Sequence, residues 1–462
     1  MPLLEDILSY EELNFPNYIN NRRAVFLTGE KDGKAVEIDL SISDVIKAGV
    51  LGGINMLFLS ETSGGKTQLM RDICNNYFEG TVEDNGKCLW ITSRLDTDTN
   101  EIFTELDREK LKRVSNEKNM KALVFVADEL NRTHPARQND FFDTANGEKE
   151  ISGFPMKLGE NGYCLFMAAV NLDRINGDYS GTFSMDKALL SRMHIAIDFD
   201  YFEPTDYDQI EINKSNNPRI KSGDKKDIST KILTSFEQIN DIASKPNLYI
   251  DAVLNLLSLG LTNCAYSDKK RKTKSWPMNC GECNKVDEKS RLCSFVKKPE
   301  PRSISTARQL TYSLNKLVEI KYGDVNMDPF DVVFEAFRFT AYHGNMNMKE
   351  LNNSYEGMDQ AMMDGFIDTL KTNFLGIKKY LINAIDRTIK GEIPKTLKWI
   401  EYKMENKNHF TSYSDTTAKM LKSRGVKYDV VEPFDAFEKA TGIRMDWFSN
   451  HLNSIRGQPC TT

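Results

Sequence analysis

Residues 54–68, Ile54-Asn55-Met56-Leu57-Phe58-Leu59-Ser60-Glu61-Thr62-Ser63-Gly64-Gly65-Lys66-Thr67-Gln68, decide how the chain is read. The apolar run Met56 to Leu59 breaks into a short polar stretch, and apolar residues resume at helical spacing with Leu69, Met70 and Ile73. That pattern is a buried strand, a tight loop and a helix N-terminus. Such a place suits nucleotide phosphates. Backbone N–H groups at Gly64, Gly65, Lys66 and Thr67 can converge because glycine tolerates the angles required. The stretch Ser63, Gly64, Gly65, Lys66, Thr67, Gln68 is therefore the expected nucleotide-binding loop. Lys66, expected to face solvent at the helix start, can reach the β- and γ-phosphates, and the Thr67 hydroxyl can hold Mg²⁺. Ser60 replaces the first Gly of the usual G-x-x-x-x-G-K-[ST] pattern; the bland alternative is a chance turn before a helix.

Composition bounds the rest. At 462 residues the length suggests about three domains. A hydrophobic fraction of 40% is enough for ordinary cores, and a net charge of −6 argues against a general nucleic-acid coat, though not against a local basic groove. No apolar run reaches the roughly 18 residues that a membrane span needs. The acidic start, MPLLEDILSYEEL, lacks the basic region of a secretory signal, so the cytoplasm is the expected location. Eight cysteines in such a chain suggest free thiols or metal ligands rather than a disulfide scaffold.

Further strands carry chemistry at their ends. Residues 24–40 alternate about Asp32-Gly33 as a hairpin, and Ser41 to Val50 reads as a helix. Residues 88–92 read as a strand and the charged stretch 95–121 as helix and linker. Ala122 to Ala127 is a buried strand ending in Asp128-Glu129. There the first acid can hold Mg²⁺ through water, and the second can polarise the water attacking a γ-phosphate. Alone, an acidic turn after a core strand is commonplace. Tyr163 to Val170 is another buried strand, ending in Asn171, whose amide can orient that water. Met185 to Arg192 is helical in pattern, and Ile195 to Phe199 is a fifth strand; an Arg ending a helix is usually only a favourable dipole partner.

The order of these features resembles the AAA+ ATPases. Asp128-Glu129-Leu130-Asn131-Arg132, with Pro135 and Gln138, is similar to the D-E-I-N-R-x-x-P-x-x-Q stretch of the MoxR-like branch. Asn171, Gly177-Asp178-Tyr179 and Ala188-Leu189-Leu190-Ser191-Arg192 follow the same pattern. The resemblance covers roughly residues 40–345 and departs at Ser60, at Leu172 where Pro is common, and at Met193 where Phe is usual. It implies that Arg192 is an arginine finger on the neighbouring subunit's nucleotide, with Arg132 a lesser candidate. Thr306-Ala307-Arg308-Gln309-Leu310 resembles the start of the family's lid helix, implying that Arg308 contacts the γ-phosphate of its own subunit, with Arg302 the fallback. A ring, most simply a hexamer, follows from the trans finger.

Within the expected lid lies a Cys-rich segment: Cys264, Cys280-Gly281-Glu282-Cys283 and Cys293. A C-x-x-C pair can grip one ion, and two more thiolates can complete a structural zinc site; a [4Fe–4S] cluster and unligated thiols are the alternatives. Lys269, Lys270, Arg271, Lys272 and Lys274 beside it read first as a solvated face. Glu356 to Lys390 is a long amphipathic helix whose Met358, Met362, Phe366 and Leu370 stripe reads as core rather than partner groove, and more helix is expected to about residue 456.

The expected architecture is α/β. An N-terminal helix and β-hairpin (1–40) precede a P-loop AAA+ core with a parallel sheet (41–205). An α-helical lid (206–346) bears the Cys-rich insertion 264–293, and an α-helical C-terminal region (347–462) follows. The expected activity is Mg²⁺-dependent ATP hydrolysis by a chaperone-like remodeller of a protein complex. A nucleic-acid motor is possible but not favoured, and a nucleotide-binding scaffold that hydrolyses poorly is argued against by the intact acid pair.

Overall fold

The computed structural model describes residues 8–15, 22–61, 64–93, 99–107, 112–151, 153–172, 183–214, 225–259, 292–296, 299–340, 346–389, 399–404, 407–412 and 414–431. The chain divides into two compact units: Met1–Ser244 with Ser305–Asp328 and Tyr342–Gly344, and Lys245–Ile304 with Pro329–Ala341 and Asn345–Thr462.

The first unit opens on the hairpin of β1 (Arg23–Lys31) and β2 (Lys34–Ser41). Asp32 and Gly33 both take positive φ, 51° and 75°, the two-residue turn whose twist matches its strands. Val25 and Leu27 pair with Leu40 and Ile38 on a buried face. Ser41 then caps the helix Ile42–Leu51. Its hydroxyl accepts from Asp44 N while the Asp44 carboxylate accepts from Ser41 N, a capping box.

That helix leads through Gly52-Gly53 into β3 (Met56–Ser60). In chain order follow β4 (Cys88–Thr92), β5 (Thr104–Asp107), β6 (Lys112–Ser115), β7 (Val124–Asp128), β8 (Glu148–Ile151), β9 (Phe154–Lys157), β10 (Leu165–Asn171) and β11 (Ile195–Asp198). Five of these form one parallel sheet in the order β11-β3-β10-β7-β4. Its strands read as near-continuous apolar runs because both faces are covered. Phe103 packs on Phe125, and Phe141 stacks on Phe166. Met193 is fully buried in the same core. The stretch 95–121 is not helix and linker alone, since β5 and β6 pair as an antiparallel hairpin within it. β12 (Asn326–Met327) extends the first hairpin by pairing with β1.

The described residues between 206 and 346 are otherwise largely helical, with helices Asp206–Lys214, Ser229–Ala243, Leu248–Leu259, Pro301–Tyr322 and Pro329–Arg338. Cys264, Cys280 and Cys283 lie outside the described residues. Cys293 falls on the short helix Leu292–Phe295, with its side chain also outside them. In the second unit, the helix Asp359–Ile389 starts just after Gly357, whose positive φ of 77° breaks the pattern expected from Glu356. Met362, Phe366, Leu370 and Phe374 are buried, and Phe374 packs against Phe330 and Phe334. The stripe from Met362 to Phe374 is core.

The C-terminal region is not all helical, contrary to expectation. β13 (Trp399–Met404), β14 (Lys407–Ser412) and β15 (Tyr428–Val431) form an antiparallel sheet in the order β14-β13-β15, with a helix Asp415–Ser423 between the last two. The physical reason is local. Trp399, Ile400 and Tyr402 favour extended backbone, and Ile400 buries completely against Ala418 and Leu421. Among the described residues no helix is long and apolar enough to cross a membrane.

One buried charge cluster ties the first unit together. The Asp44 carboxylate, 1% exposed, accepts from Tyr10 OH at 2.6 Å and Lys321 Nζ at 2.8 Å, with Lys47 Nζ at 3.5 Å. Burial would raise its pKa, but the Lys321, Lys47 and Tyr10 contacts outweigh that and hold it below the usual carboxylate value. Asp44→Ala leaves Lys47 and Lys321 without their carboxylate and should cost about 3 kcal/mol, measured by urea unfolding. The stabilisation is present above the unfolded carboxyl value of ~3.9 and lost as pH falls through the lower folded value. Asp44→Asn should therefore flatten the acid limb of the stability profile; an unchanged limb contradicts the network.

Candidate nucleotide site

The parallel register brings the candidate residues to one edge. β10 lies between β3 and β7, and Asn171 pairs in register with Ser60. Thr92 on β4 is likewise level with Asp128 on β7. The loop after Ser60, the acid pair and the Asn therefore sit at the C-terminal ends of three neighbouring strands, where open α/β sheets hold ligands.

The loop is built around its lysine. Gly65 adopts φ 74° and turns the chain into the helix Lys66–Tyr77. Lys66 does not face solvent as expected: it is 6% exposed. Its Nζ donates to Ser60 Oγ at 2.5 Å, Glu61 O at 2.9 Å and Ser60 O at 3.1 Å. Burial draws its pKa down to about 8, against the opposing pull of Asp200, Asp128, Glu129 and Asp198. Asp200 also anchors the loop by accepting from Glu61 N at 3.0 and 3.1 Å. The Ser60 substitution explains Gly64, where a Cβ would stand 2.2 Å from the Ser60 hydroxyl. Ser63 lies outside the described residues. The Gln68 side chain bonds Asp72 at 2.7 Å and so stays on its own helix.

Thr67 and the acid pair connect two strands. Thr67 Oγ1 donates to the two Asp128 oxygens at 3.0 and 3.1 Å. A hydroxyl and a carboxylate at that separation are hard oxygen donors of the kind Mg²⁺ takes, so the residues present fit that ion. Glu129 holds the left-handed conformation, φ 53° and ψ 44°. Strain of this kind costs about 1–3 kcal/mol and gathers at functional sites. Its carboxylate accepts from Asn171 Nδ2 at 3.2 Å and pairs with Arg132 Nε at 3.1 Å.

The other candidates sit elsewhere in the unit. Arg192 O accepts from Asn55 Nδ2, just before the first residue of β3, so Arg192 lies at the opposite end of the sheet from Lys66. Its guanidinium donates to Asn146 Oδ1 at 3.1 Å and Ala188 O at 2.6 Å and lies 4.6 Å from the centre of the Phe142 ring. Arg308 donates to Ala243 O at 3.0 Å and lies 5.7 Å from the Tyr312 ring. Among the described residues no group of three or more His, Cys, Asp or Glu is placed to hold a metal ion, and the cysteine segment lies outside them.

In the sequence, Asn131 and Gln138 stand out only as part of a pattern. Here Asn131 joins the acid turn to Asn171 through its side chain. Gln138, fully buried, bonds Thr133 O, Ser184 O and Asp186 N and fastens the segment that leads to Arg192. Asp200 carried no signal, because its role depends on a loop far away in sequence.

No family model matches the chain, and no curated protein matches it. Among solved structures, the chain is similar to a crystallised protein of Cytophaga hutchinsonii, provisionally designated an ATPase. Identity is 12% and the TM-score 0.48, over 70% of this chain and 88% of that one.

The buried ammonium has a pH signature. An unfolded lysine titrates near ~10.4, whereas Lys66 lies at about 8. Between those values the unfolded chain holds the extra proton, so stability conferred by this group rises with pH across that window. Urea unfolding from roughly pH 8 to 10.4 should rise more steeply for the wild type than for Lys66→Met; parallel profiles contradict the buried ammonium.

Proposed function

We propose that the protein binds ATP with Mg²⁺ and hydrolyses it. The observation that carries this reading is the meeting of Lys66, Thr67, Asp128, Glu129 and Asn171 at the C-terminal ends of three adjacent parallel strands. Lys66 exchanges its Ser60 and Glu61 oxygens for the β- and γ-phosphates. Thr67 and Asp128 would hold Mg²⁺, which supplies charge neutralisation on those phosphates. Glu129 takes a proton from the water whose oxygen bonds the γ-phosphorus as the bond to the β-phosphate oxygen breaks. Asn171 holds that water in line. To act as base, Glu129 must loosen its ion pair with Arg132.

We further infer an AAA+ ATPase of the MoxR-like branch, assembled as a ring, most simply a hexamer, that remodels a protein client. The motif series from Asp128 to Gln138 and from Ala188 to Arg192 supports the branch. What supports the ring is that Arg192 O bonds Asn55, just ahead of β3 and so at the end of the sheet away from its own Lys66. Arg308 would serve the γ-phosphate from its own chain. A zinc ion on Cys264, Cys280, Cys283 and Cys293 is a separate proposal, decided by elemental analysis: zinc at one per chain supports it, and iron with acid-labile sulfide replaces it.

Glu129→Gln keeps the shape and removes the base. Turnover should fall roughly 100-fold or more while ATP affinity stays near normal. Sedimentation of this variant with Mg·ATP should give the hexamer. Turnover close to wild type would reassign the base, and a monomer at saturating ATP would remove the trans role of Arg192.

A further inference from the structure

We propose that Asn131 is the positioning residue for Asn171, substituting for a missing strand at the end of β10. The role rests on the ATPase reading, but its geometry does not. Successive residues of a strand turn their N–H and C=O groups to opposite neighbours. Leu165 N donates to Leu123 O, ahead of β7, whereas Leu172 N donates to Ser60 O on β3. Odd-numbered residues of β10 therefore address the β7 side. The two strands pair only as far as Ala168↔Ala127, because β7 ends at Asp128 and Glu129 turns away in the left-handed conformation. The main-chain groups of Asn171 thus face a side from which the strand has gone.

The Asn131 carboxamide takes that place. Its Nδ2 donates to Asn171 O at 2.8 Å, and its Oδ1 accepts from Asn171 N at 3.4 Å. A primary amide has the donor and acceptor of a peptide group, so it continues the ladder by one rung. Asn131 is 4% exposed, and its own carbonyl accepts from Phe183 N at 2.7 Å. It is thus held from both directions while it holds Asn171. With the backbone fixed, the Asn171 side chain meets Glu129 at 3.2 Å. The turn that supplies the base thereby also sets the group that orients its water. Gln cannot make the same two bonds from one methylene farther out, and Asp lacks the donor for Asn171 O.

The test compares Asn131→Ala, Asn131→Asp, Asn171→Ala and the double alanine variant. Each Asn131 variant should lower kcat roughly tenfold or more, with ATP affinity changed by less than about threefold and the thermal transition still cooperative. Adding Asn131→Ala to Asn171→Ala should cause no further loss, since one acts through the other. A kcat at wild-type level for Asn131→Ala, rescue by Asp, or a fully additive double variant would overturn the proposal. A crystal structure of Asn131→Ala is the readout independent of turnover. Asn171 Nδ2 should leave hydrogen-bonding range of Glu129, and retention of the 3.2 Å contact overturns the proposal. A wild-type chain without ATP turnover would instead sink the ATPase reading, with the structural comparison still deciding the role of Asn131.

Discussion

Parallel pairing of β10 between β3 and β7 is the constraint on which the site depends. Side chains that are far apart in sequence, at Lys66, Asp128 and Asn171, become neighbours only because their strands run the same way and end level. The strands themselves are fixed by burial on both faces, not by the polar groups at their tips. A slip of one residue in β10 would turn Asn171 from the β7 side to the β3 side. Apolar packing of Phe125, Phe141 and Phe166 thus sets the chemistry at a distance.

The polar groups then hold one another. Thr67 is bonded to Asp128, Asn171 to Glu129, and Lys66 to its own loop. The buried ammonium would be costly unless its hydrogen bonds were made, and Ser60 supplies two of its three acceptors. The departure from the usual glycine at that position therefore has a physical role. Strain at Glu129 is tolerated because Asn131 and Arg132 secure the turn that follows it.

What was legible in the sequence was local. Asp32-Gly33, the helix opening at Ser41, the strand from Met56 and the helix opening at Lys66 each carry their structure within a few residues, and each folds as its pattern suggests. The five core strands were visible as apolar runs, but their spatial order was not. Lys66 was misread as exposed because its burial depends on Ser60 and Glu61 turning their oxygens to its ammonium, with Asp200 holding Glu61. The sheet at 399–431 was missed because its strands are short, and the burial of Ile400 rests on the helix carrying Ala418 and Leu421. The role of Asn131 was hidden because it answers to where β7 stops.

On the proposed reading, these convergent groups form a site for a nucleotide and Mg²⁺. Calorimetric titration of the wild-type chain with ATP, with Mg²⁺ and then with the metal chelated, tests it most directly. Saturable binding is expected at one ATP per chain, markedly weakened by chelation and abolished in Lys66→Ala. Binding of equal strength in folded Lys66→Ala, or no binding by the wild type at millimolar Mg·ATP, would contradict it.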